Sequence, residues 1–229
     1  GWASAHRSSG WWHFVVQLRI VLGFAFLPSG LKKVLGQPFT DPANASTFHD
    51  FLHAFHATGL LYGFVGVVQL SAAFLLMTQY LGALGAMVFF PVCAGILMLC
   101  LGTGAIPTAL VVAAMTAATL FLLLWDLPLW SGLVRPWCVP GAEALELRMS
   151  VATEPPAGIH LGIWSACGAA IFALYAISCL WSGEVYRPRG LDWTAPGFYI
   201  LPLLVSLMAL AYLLERRQCL KFKRQVHRK

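Results

Sequence analysis

The chain has 229 residues, of which 59% are hydrophobic and 10% charged, with a mean hydropathy of +0.74 and a formal net charge of +6. Average soluble domains carry about 25% charge, so a soluble globular fold is excluded, and bilayer thickness, at roughly 20 residues per spanning helix, is the proper ruler. The positive balance does not point to nucleic acid. Arg216, Arg217, Lys221, Lys223, Arg224, Arg228 and Lys229 crowd one end directly after an apolar run. There, basic residues mark the cytoplasmic side of a membrane and meet anionic headgroups or an acidic partner surface.

Six spans are expected in chain order: about Trp12 to Leu31, Leu60 to Gln79, Leu81 to Leu101, Ala105 to Leu124, Ile159 to Leu180 and Phe198 to Leu214. The first carries Arg19, and no signal-peptide cleavage pattern follows it, so it is expected to be retained. After it, GQP and DPAN give turns, and STFHDFLHAFH reads as an amphipathic helix over 46–57. Ser46 or Thr47 serves as N-cap, Asp50 lies in the first turn, and Phe48, Phe51, Leu52 and Phe55 form an apolar face, which suits a helix lying at the interface.

From Phe51 to Trp125 there is no Asp, Glu, Lys or Arg. The connections at Tyr80 and at Gly102-Thr103-Gly104 are very short, so spans two, three and four run antiparallel as neighbours. Gly82, Ala83, Gly85 and Ala86, and then Ala113, Ala114, Ala117 and Ala118, would let these backbones approach closely in lipid. Span one completes a four-helix bundle over residues 1–130. A polar loop at 131–158 follows, with ALELRMSVA as a short strand or helical turn, and then two further spans and the basic tail at 159–229. Trp181, Tyr186 and Trp193 suit an aromatic belt. The fold class is therefore all-α, polytopic and membrane-spanning. An even number of spans with a basic tail puts both termini in the cytoplasm, although Lys32 and Lys33 then lie outside, against the usual charge bias. The six cysteines make no CxxC or metal spacing and read as small packing residues.

Arg19 followed by LGFAFLPSGLKKVLGQPF, then FLHAFHATGLLYGFVGVVQLSAAFLLMTQ, LGAMVFFP and LLLWD, resembles the DoxX family of small bacterial membrane proteins over roughly residues 19–126. The resemblance implies a four-helix membrane bundle in a bacterial inner membrane, with the last two spans as an extension. The family includes the membrane subunit of a thiosulfate:quinone oxidoreductase, so the resemblance also makes quinone a candidate cofactor.

Each polar residue in or near the spans has two readings. Arg19 either snorkels to the interface, pairs with Asp126 at the end of span four, or contacts an anion or a quinone headgroup. Lys32 and Lys33 complement the helix dipole at the end of span one, or attract an anion such as thiosulfate. His49, His53 and His56 share one helix face; they are interfacial polarity, a proton relay beside a quinone (His53 and His56), or a weak metal or haem set. His160, opening span five, is interfacial or a weak ligand to haem or chlorophyll. Gln69 and Gln79 are expected to hydrogen-bond neighbouring helices. Phosphate loops, nucleophile–base pairs and paired carboxylates are absent from the sequence, and the scarcity of intramembrane acid disfavours a proton-coupled solute transporter. The leading expectation is a non-catalytic subunit that packs with other membrane-protein subunits into a larger electron-transfer complex, respiratory or photosynthetic. The alternative is a quinone-linked oxidoreductase subunit acting on thiosulfate or another small sulfur species, and a small-solute transporter is a weaker third reading.

Overall fold

The computed structural model describes residues 5–41, 43–130, 155–156, 159–185 and 196–226, the side chains at 128, 130, 196 and 221–226 excepted. The expected loop at 131–158, with its ALELRMSVA segment, lies almost wholly outside the described residues, as do Tyr186 and Trp193 and the side chains of Lys221, Lys223 and Arg224. Among the described residues there is no strand, and six helices are long and apolar enough to cross a membrane. The protein is an all-α polytopic membrane protein. In lipid every backbone N–H and C=O must be satisfied within its own segment, and the helix does this.

Helix α1 spans Ser9–Val34, α2 Thr47–Ala57, α3 Leu60–Met77, α4 Gly82–Gly102 and α5 Ile106–Trp125. A single turn, α6, covers Leu127–Trp130. Helix α7 spans Leu161–Ser182, and α8 spans Ile200–Val226 after a 3-10 turn at Pro196–Tyr199. Pro107 falls in the first turn of α5, where its missing N–H would be unpaired anyway. Ser46 is the cap of α2, its hydroxyl accepting the His49 N–H at 3.3 Å. Thr116 and Thr119 return their hydroxyls to the carbonyls of Val112 and Met115, at 2.8 and 2.7 Å, so neither is left bare in the span.

The charged helix is the central one. The α1 window is 61% buried, against 39% for α3, 28% for α4 and α7, 22% for α5 and 11% for α8. Between helices in lipid, packing and small residues replace the hydrophobic drive. Helix α1 presents Gly23 and Gly30 to Ala73 and Gly66 of α3, with backbones so close that a Cβ on Gly23 would lie 2.8 Å from the Ala73 carbonyl oxygen. The Phe26 and Phe89 rings stack at 3.8 Å and tie α1 to α4.

The expected small-residue stripes divide. Gly82, Gly85 and Ala86 are buried as predicted, but Ala114 and Ala117 of α5 are exposed. The most extensive seam is α1 on α3, which the alanine pattern did not indicate. Helix α7 is also more than an appendage. Trp164 is fully buried, and Gly168 presses so closely on the end of α3 that a Cβ there would fall 2.0 Å from the Met77 carbonyl oxygen. Helix α8 is the most peripheral of the six, leaning on α7. It runs past the expected end at Leu214, as one helix of about 40 Å at 1.5 Å per residue.

Helix α2 buries no residue fully. Phe48, Leu52 and Phe55 are half-buried, whereas Phe51, expected on the same face, is exposed; His49, His53 and His56 share the half-buried side. Cys93, Cys100 and Cys179 are buried free thiols packed among apolar side chains.

Candidate functional site

The N-terminal end of α1, the turn between α3 and α4, the C-terminal end of α5 and the start of α7 meet at one face of the bundle, called here the terminal face. Arg19 lies there, only 5% exposed, nearly three turns into α1. Its Nη2 donates to both carboxylate oxygens of Asp126, at 2.7 Å to Oδ1 and 2.6 Å to Oδ2. Asp126, itself buried, is the residue that closes α5. The expected pairing is thus formed, and it takes the place of snorkelling: the guanidinium is neutralised inside the protein and does not reach for water.

Gln79 completes the surroundings. It has φ 66, the left-handed region that a non-glycine residue enters at some energetic expense. That turn aims its carbonyl at Arg19 Nη1, 3.4 Å away, and lets its side-chain Nε2 donate to the carbonyls of Val16 and Met77, both at 3.3 Å. Gly82 lets the guanidinium pack against bare backbone, since a Cβ there would lie 2.7 Å from Arg19 Cζ and Nε and push the side chain aside. His6 donates from Nε2 to the Trp125 carbonyl at 3.1 Å and stacks on the Trp125 ring with centroids 3.7 Å apart. Trp12 donates its indole N–H to the His6 carbonyl at 2.7 Å.

A second ionic contact lies close by. Glu215 of α8 is buried, and its Oε2 meets His13 Nε2 of α1 at 2.7 Å, while its Oε1 accepts the backbone N–H of His160 at 2.7 Å. His13 Nδ1 also faces the Ser9 carbonyl at 2.8 Å, so both ring nitrogens point at acceptors. One carboxylate therefore joins α8 to α1 and caps the start of α7. His160 takes part through its backbone, and its ring is exposed.

At the opposite end, the Lys33 Nζ donates to Ser29 Oγ at 2.6 Å and to the Ser29 carbonyl at 3.3 Å. The Ser29 hydroxyl in turn donates to Gln69 Oε1 at 3.2 Å, joining α1 to α3 as expected for Gln69. Lys33 is buried and sits 4.8 Å over the Phe39 ring, so it does not stand out towards water as a lure for anions; Lys32 is half-buried. His49 Nδ1 is engaged with Ser46 Oγ at 2.7 Å, and His56 Nε2 donates to the Gly36 carbonyl at 3.0 Å. His53 Nε2 is buried without a partner. Among the described residues no three His, Cys, Asp or Glu side chains gather as a metal set.

The terminal face combines both described ionic contacts with a cavity of about 170 Å³, and it is the better candidate site. The sequence reading found Arg19, Asp126 and Gln79 but passed over His6, His13 and Glu215. Glu215 was hidden by the basic run beginning at Arg216, although it is an acid at the end of an apolar span, which in lipid demands a partner. In comparisons with protein families, with curated proteins and with solved structures, the chain matches none.

Proposed function

We propose that the chain is a DoxX-like, non-catalytic membrane subunit of a bacterial inner membrane, which packs into and stabilises a larger complex. The observation that carries this reading is α8. It crosses as a single long helix with only 11% of its apolar window buried, is pinned to the bundle at Glu215, and continues into a basic segment beginning at the exposed Arg216 and Arg217. A helix that leans on α7 through a narrow strip and leaves most of its surface bare suits a face that receives another membrane subunit, while its basic end suits an acidic partner surface or anionic lipid. The buried ionic groups fit the same reading, because Arg19, Asp126 and Glu215 are used to hold helices together. An electron-transfer complex is the class of assembly that the resemblance favours, and a cytoplasmic C-terminus follows from the basic tail.

The test is purification from native membranes in digitonin, followed by native mass spectrometry. A particle of defined mass that contains other subunits, and is lost when residues 216–229 are deleted, is the expected result. A particle containing this chain alone refutes the reading.

One observation favours the oxidoreductase alternative, namely the unpartnered, buried Nε2 of His53 beside the engaged His56. It predicts thiosulfate-dependent quinone reduction that falls in His53→Ala and His56→Ala; full activity in both variants sinks it.

A further inference from the structure

We propose that the cavity beside the Arg19–Asp126 pair is a binding site for a neutral molecule carrying a hydroxyl group on a compact apolar body. The cavity holds about 170 Å³ and is lined by His6, Trp12, Arg19, Gln79, Trp125 and Asp126, with Ala83, Leu129 and Leu161 among its apolar walls.

Three lining residues carry a buried polar atom with no partner: Arg19 Nε, Gln79 Oε1 and Trp125 Nε1. Each of these residues is at least nine-tenths buried. Buried polar atoms are nearly always satisfied, and three unmet atoms on residues that line one cavity point to an occupant. Their chemistry describes it. Arg19 Nε and Trp125 Nε1 are donors and can only give. Gln79 Oε1 is an acceptor, and the orientation of its amide is fixed because Nε2 already donates to two carbonyls. The unmet set is therefore two donors and one acceptor. A hydroxyl has two lone pairs and one O–H, which is the complementary count. Water could meet the same three atoms, with the Asp126 carboxylate taking its second O–H. What favours a hydroxyl on an apolar body is the apolar share of the wall, with Trp12, Ala83, Leu129 and Leu161. A charged ligand is disfavoured, since Arg19 is already balanced by Asp126.

Such a hydroxyl could belong to a small soluble alcohol or phenol, or to a lipid. The whole chain, in lipid nanodiscs with ¹⁵N-labelled tryptophan, is titrated with phenol and, separately, with toluene, which has a similar shape but no hydroxyl. The Trp125 indole N–H signal, assigned through Trp125→Phe, is followed. The expected result is a saturable shift, with phenol binding about tenfold tighter than toluene, as one or two added hydrogen bonds would give. Gln79→Asn, which withdraws the acceptor while tolerating the left-handed backbone, should weaken phenol and leave toluene unchanged. Ala83→Phe, which fills the cavity from α4, should abolish both. Mass spectrometry of organic extracts separates the sources: a hydroxylated lipid retained by the wild type and absent from Ala83→Phe assigns the lipid, and phenol binding with no retained lipid assigns the soluble molecule. Equal binding of phenol and toluene, no shift with either, or an unchanged shift in Ala83→Phe overturns the proposal.

Discussion

Removing Asp126 would strand Arg19 inside the bundle. Both carboxylate oxygens lie within 2.7 Å of Nη2, and both side chains are 6% exposed. Breaking a buried pair by deleting one partner costs about 3–5 kcal/mol, most of it the uncompensated charge that remains. Asp126→Ala and Arg19→Ala should each lose on that order. Additive behaviour would put the double variant at roughly 6–10 kcal/mol, but a double variant leaves no charge behind, so it should fall short of the sum by about 2–3 kcal/mol. Arg19→Lys is an informative intermediate. An ammonium keeps the charge but cannot serve Asp126 and the Gln79 carbonyl from two nitrogens, and a loss of about 1–2 kcal/mol is expected. The assay is equilibrium unfolding in mixed micelles of rising SDS fraction, followed by circular dichroism and tryptophan fluorescence. Losses in the double variant equal to the sum of the singles would refute the ion pair as the tie between α1 and α5.

Other perturbations separate the remaining contacts. Gly168→Ala sets a Cβ 2.0 Å from the Met77 carbonyl oxygen, against backbone that cannot swing aside; it should cost about 3 kcal/mol or more in the same assay and loosen α7 from α3. Gly82→Ala meets the Arg19 guanidinium at 2.7 Å, a flexible neighbour, and should cost about 1–2 kcal/mol. Glu215→Gln removes the charge that engages His13 and should expose the α8 connection, read as faster proteolytic release of the C-terminal segment while residues 9–130 remain folded. Gln69→Leu discards one bond to Ser29 but also a buried, unpartnered Nε2, so it should change stability by less than about 1 kcal/mol.

The sequence carried the spans because each is apolar along its whole length, and the bilayer gives a fixed ruler for such runs. It carried the Arg19–Asp126 pair for a related reason. Only Asp126 ends the charge-free segment, and an antiparallel order brings it to the level of Arg19. The seam between α1 and α3 was less legible. Gly23, Gly30 and Gly66 are scattered singly, and what makes them an interface is their register across two helices, which no single run displays. The alanine-rich run of α5 misled in the opposite way, since in lipid an alanine is as content outside as inside, and Ala114 and Ala117 face out. His13 and Glu215 are 202 positions apart, and their contact depends on how α8 leans.

The order of burial follows from where the charges are. A helix with Arg19 at membrane depth must be surrounded by groups that can hold a cation, and α1 is the most buried of the six. Helices without charge carry no such demand; every side of α4 or α5 tolerates lipid, and burial declines from α3 through α4 to α5. Helix α8 reconciles an acid with exposure by placing Glu215 at the one level where α1 and the start of α7 can reach it. The charge-free stretch from Phe51 to Trp125 is therefore what releases α4 and α5 to the periphery. A single added charge at Leu110, an exposed position of α5, should leave the bundle folded in detergent yet hinder its insertion or its packing with neighbours in a membrane. Folding lost equally in both media would show that α5 is held by more than its contact with α1 and α4.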